Sequence, residues 1–121
     1  MTEHDMLIER LLRDSKKVEA TKWLRHAPSD RQLTIGECRT TTDSVKLVKK
    51  LYSLGAVEVV AVHIKKSPRR GIEHTGKLVV KFPEDVHKRK GIFDWCNQQR
   101  GSLGFSPNPD RGETHLFLLL D

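Results

Sequence analysis

The side chains of this chain whose types and spacing could do chemistry are mostly basic. Lys65, Lys66, Arg69 and Arg70 fall within one short run, Lys77 and Lys81 follow it, and Lys88, Arg89 and Lys90 form a second run. The stretch from His63 to Lys90 holds nine of the 22 Lys and Arg residues and only three acids, Glu73, Glu84 and Asp85. That local excess equals the formal net charge of the whole chain, +6, so the remaining residues balance. Closely spaced ammonium and guanidinium groups attract phosphates, and release of condensed counterions drives the association. The chemistry expected here is capture of a polyanion. The competing expectation is a solvated surface that keeps the protein soluble, the commoner fate of charge runs.

Other chemistry is poorly supplied. Six histidines are present, but no HExxH or comparable spacing occurs, so no metal site is expected. Glu37, Cys38 and His115 are the one set that strand pairing could bring near each other, and a metal needs closer convergence than that. Cys38 with His115 could form a thiol and base pair, yet no oxyanion-binding loop accompanies them. The segment ECRTTTDS offers Arg39 and Thr40 to Thr42 ahead of a helix. It lacks the glycines that let backbone N–H groups close around a phosphate. Neither catalysis nor a cofactor is expected. The two cysteines have no CxxC spacing and read as free thiols in a reducing cytosol.

The elements that position these residues follow from periodicity. Residues 3–26 predict one helix: Leu7, Leu11 and Val18 share a face, acids lead, bases follow, and Pro28 ends it. Residues 33–39 predict a strand. Thr41, Thr42 and Asp43 are candidate caps for a helix through Leu54, which Gly55 stops. VEVVAVHI is a β-branched strand, KKSPRRGIEHTG a turn-rich loop, and residues 77–82 a strand with Leu78, Val80 and Phe82 inward. On that strand Lys77, Val79 and Lys81 are expected to face water. A helix over about 84–100 should bury Val86, Phe93 and Cys96, weakened by Gly91 at its middle. The loop FSPNPDRGE and a strand over 114–120 complete the chain.

The order is a helix followed by β-α-β-β-α-β. It predicts an α+β, ferredoxin-like sandwich with a four-stranded antiparallel sheet, the first strand lying between the fourth and the third, and an extra N-terminal helix. At 121 residues the chain suits a single domain, with residues 1–28 as the helix and 33–121 as the core. Two strands, VEVVAVHI and HLFLLL, are apolar on both faces, so something should cover the otherwise open face, either the N-terminal helix or a second subunit. Base stacking on the third strand is not expected, because Leu78, Val79 and Val80 stand where rings would be wanted.

No apolar run is long enough for a signal sequence or a bilayer span, which predicts a cytoplasmic protein without a membrane partner. The partners expected are nucleic acid or another polyanion, and a second copy of the chain as a homodimer. The alternative function is a protein-interaction, dimerisation or regulatory module without catalysis. The hairpin tip and the start of the last helix lie at opposite ends of the third strand, so two separate basic sites are expected.

Overall fold

The computed structural model describes residues 3–13, 17–26, 31–104 and 110–120. These form an α+β fold of four α-helices and two sheets. In chain order the elements are α1 (Glu3–Leu12), β1 (Val18–Glu19), α2 (Ala20–Arg25), β2 (Gln32–Ile35) and α3 (Thr41–Ser53). Then come β3 (Glu58–Val62), β4 (Lys65–Ser67), β5 (Ile72–Thr75), β6 (Lys77–Lys81), α4 (Val86–Ser102) and β7 (His115–Leu119). The larger sheet is antiparallel in the order β1-β3-β6-β7, and the smaller has the order β2-β5-β4.

Both sheets grow from one long, bent hairpin. Val62 pairs with Lys77 in the larger sheet, and Lys65 pairs with His74 in the smaller, without loss of register. The turn-rich loop expected over 65–76 is therefore mostly strand, closed by a 3-10 turn at Pro68–Arg70. Between the two halves the backbone bends. His63 adopts φ 52°, and the buried Thr75 hydroxyl donates to the Val62 carbonyl while accepting from the Lys77 N–H at 3.1 Å. A strand bent in this way can serve two sheets in succession.

One edge of this hairpin is shared end to end. β2 runs parallel to β5, and β7 runs antiparallel to β6. Their C-terminal ends meet at the bend, where Gly36 N–H donates to Thr75 O at 2.9 Å and Leu120 N–H to Gly76 O at 2.8 Å. Gly36 has φ 56°, and a Cβ there would lie 2.6 Å from Leu120 Cβ. This overturns the expected ferredoxin-like order, in which the final strand pairs with the first. The other edge of β2 is taken by α3: Leu33 N–H donates to Thr41 Oγ1 at 2.9 Å and Ile35 N–H to the buried Ser44 Oγ at 3.0 Å. Hydroxyls satisfy β2 there, so β7 fills the vacant edge of β6 instead. The α3 cap is Thr40, whose hydroxyl accepts from Asp43 N–H, rather than Thr41, Thr42 or Asp43.

The expected first helix divides. α1 carries Ile8 and Leu11 into a cluster with Val60, Val62 and Val79, so it covers one face of the larger sheet. α2 carries Trp23 and Leu24 into the main core on the other face, with Leu78, Val80, Leu116 and Leu118. A continuous helix could not serve both faces. Between them Val18 pairs with Ala61 as an edge strand, and Glu19 caps α2, its carboxylate accepting from Thr21 and Lys22 N–H. The chain at 14–16, the break placed at Pro28 and the loop at 105–109 lie outside the described residues. Val79, expected to be wet, is 1% exposed beneath α1. Val86, expected to be buried, is 75% exposed, and α4 packs through Ile92, Phe93 and Cys96.

Candidate anion-binding site

Lys65 and Lys66 lie on β4, the outer strand of the smaller sheet, and both are exposed. Arg69 and Arg70 are exposed on the 3-10 turn at the hairpin tip. The structure brings these four together on an element held by β2 on one side and by its own continuation into the larger sheet. The tip is also tied at its base, where Gln32 N–H donates to Gly71 O at 2.8 Å. Four cations are thus presented on a braced arm.

Lys77 and Lys81 stand at the two ends of β6, away from the tip. Lys77 is half-buried, and its Nζ donates to His63 Nδ1 at 3.2 Å. Lys81 is exposed opposite Glu58 on β3 and His115 on β7. Neither joins the hairpin cluster.

The second basic run performs other work. Arg89 makes a forked contact with Asp110, Nη2 to Oδ1 at 2.7 Å and Nε to Oδ2 at 2.9 Å, and its guanidinium lies 4.4 Å from the Phe82 ring centroid. Glu113 adds a carboxylate at 3.7 Å. The fork onto Arg89 holds the Asp110 carboxyl below the usual range, with help from Gly112 N–H. Lys90 pairs with Asp94 one turn on, at 2.6 Å, and the Lys88 side chain runs against Gly55. Asp85 caps the helix by accepting from Lys88 N–H at 2.9 Å.

A cleft of about 750 Å³ opens beside the braced arm, between the start of β1 and β4. Lys17, Lys65 and Lys66 surround it, with Val18 and Ile64 as apolar lining. Trp23 and Glu73 form its inner end. Trp23 Nε1–H donates to Glu73 Oε1 at 3.2 Å, and Arg31 Nη1 meets Glu73 Oε2 at 3.4 Å. The one acid between Lys65 and Gly76 is therefore compensated, and the cleft keeps a positive rim. Nearby, burial pushes Glu19 up, but hydrogen bonds from Thr21 N–H, the Tyr52 hydroxyl and Lys22 N–H outweigh it and hold its carboxyl below the ordinary value.

Sequence reasoning missed Lys17, Trp23 and Glu73 as cleft residues. The available signal was Glu73 itself, a lone acid inside a basic hairpin. Among the described residues no three His, Cys, Asp or Glu side chains come together as a metal site. No described helix is long and apolar enough to cross a membrane. No family model, curated protein or solved structure matches this chain.

Proposed function

We propose that the protein is a small, single-domain binding module that captures a phosphate-bearing polymer, nucleic acid first of all, through Lys65, Lys66, Arg69 and Arg70. The observation that carries this reading is the exposure of all four cations on one braced hairpin. A held arm orders its charges before the partner arrives, which lowers the entropic cost of binding. Lys77, Lys81 and Lys88 add a diffuse positive field, whereas Arg89 and Lys90 are engaged by carboxylates. The reading places the protein in the cytoplasm, where such polymers are met.

The test is retention of DNA and RNA across a salt gradient. Four phosphate contacts give a slope of log K against log salt of roughly −3 to −4 on duplex DNA, and replacing Arg69 and Arg70 with alanine lowers its magnitude by about 2. No retention at low salt, or a slope the double variant leaves unchanged, refutes the proposal.

A dimerising interaction module is the second reading. It is favoured by β7, which lies at the edge of the larger sheet with Phe117 and Leu119 partly exposed, while Leu116 and Leu118 are buried in the core. A light-scattering mass twice that of the chain supports it, and a monomer at high concentration removes it.

A further inference from the structure

The cleft beside the hairpin has a geometry that a plain patch of charge does not. β1 pairs with β3 only at Val18–Ala61 and Glu19–Val60. Beyond that the hairpin bends at His63, so β4 turns away from the line of β1. The divergence leaves a wedge with Lys17 on one side and Lys65 and Lys66 on the other.

Consecutive strand residues point to opposite faces of a sheet. Lys65 and Lys66 are consecutive, yet both line the same cleft. They can do so because β4 is an outer strand and the cleft runs along its free edge. A ligand lying along that edge is held from both faces at once.

The lining agrees with a single strand. Val18, partly exposed, offers apolar surface next to the lysines, whereas Ile64 is 8% exposed and shows only an edge. An unpaired base has an apolar face to place there, whereas bases in a duplex are stacked away. Trp23 is 8% exposed and committed through its N–H to Glu73, so it lines the inner end by its edge and gives no stacking platform. Arg31 compensates Glu73, which removes the repulsion that a bare carboxylate would exert on a phosphate.

Resting on the polyanion reading above, we infer that this cleft takes one unpaired nucleotide of a single-stranded nucleic acid. Its phosphate faces Lys17, Lys65 and Lys66, and its base lies against Val18. The hairpin tip binds phosphates of either form. The cleft confers preference for the single strand.

The experiment compares labelled oligothymidylate with a duplex of equal length by fluorescence anisotropy, using the full chain and its Lys17→Gln variant. Tighter binding of the single strand to the wild type is expected. Lys17→Gln should weaken it about fivefold at 0.1 M salt and lower the salt slope by about 0.7, as loss of one single-strand phosphate contact requires. Duplex binding should stay unchanged. In a Trp95→Phe background, the emission of Trp23 should shift on addition of the single strand and not of the duplex. Equal affinity for both forms overturns the cleft assignment and leaves the hairpin reading standing. Absence of binding to either overturns both. Competition by polyglutamate as strong as by oligothymidylate overturns it too, since the cleft would then answer to charge alone.

Discussion

Replacing Arg89 with alanine separates scaffold from binding surface. Its guanidinium lies 4.4 Å from the Phe82 centroid and 5.5 Å from that of Phe93, over two rings stacked at 4.6 Å. Each such contact is worth about 0.5–1 kcal/mol. The forked pair with Asp110 adds about 1 kcal/mol, discounted because the Asp110 side chain is 42% exposed and is rehydrated once its partner is gone. The expected loss is about 2 kcal/mol, or roughly 6–10 °C in Tm for a chain of this length. Urea denaturation at neutral pH measures it. The pH dependence supplies a second check. Asp110 is held low by Arg89, so its contribution is present above the ordinary carboxylate range and is lost as pH falls through its depressed value. The gap between wild type and variant should therefore narrow as pH drops from about 5 toward 2. Retention of nucleic acid should be the same for both proteins. An unchanged urea midpoint together with weakened retention would show that Arg89 is a ligand contact and refute this reasoning.

Tyr52 is the single tyrosine of the chain, so absorbance titration reads it alone. Burial and the hydrogen bond it donates to Glu19 Oε2 push it up to about 12, and its stabilising effect should be complete below the ordinary value near 10 and fade between about 10 and 12. Tyr52→Phe should cost about 1–2 kcal/mol in urea and abolish that alkaline loss; a titration midpoint near 10 would count against the contact. Gly36→Ala should destabilise by about 2 kcal/mol or more, from a left-handed backbone and the Leu120 side chain in the way. Gly91→Ala, with open space around it in α4, should stabilise by about 1 kcal/mol, and thermal melts that rank the two the other way would contradict both placements. A thiol reagent should modify Cys38 in the native protein and reach Cys96 only on unfolding, because burial raises both thiols and takes Cys96 to about 12; equal rates would be inconsistent with that burial.

Several features were legible in the sequence because they depend on near neighbours. The helices over 41–53 and 86–102 follow from the spacing of apolar residues, though the Thr40 cap did not, and the strands at 58–62 and 77–81 from alternation and β-branched residues. The need for a cover on the second sheet face was readable in VEVVAVHI, and Ile8 and Leu11 of α1 provide it against Val60, Val62 and Val79. The charge of the hairpin was readable by composition alone. The division of residues 3–26 was not, because the stripe of Leu7, Leu11 and Val18 fits one helix locally, whereas Val18 and Glu19 pair with Ala61 and Val60 of β3.

The sequence by itself thus determined an α+β protein with a basic hairpin, since periodicity and charge are local properties. The tertiary structure alone decided which strand lies beside which, because hydroxyls of Thr41 and Ser44 occupy the edge of β2 that β7 would otherwise take. It also decided which cations stand exposed on the hairpin and which hold the fold together. Trp23 meets Glu73 across 50 positions and Arg89 meets Asp110 across 21, and no local pattern encodes contacts closed over such distances. They arise when the packed core fixes the two ends, and that packing sets the cleft between Lys17 and Lys66.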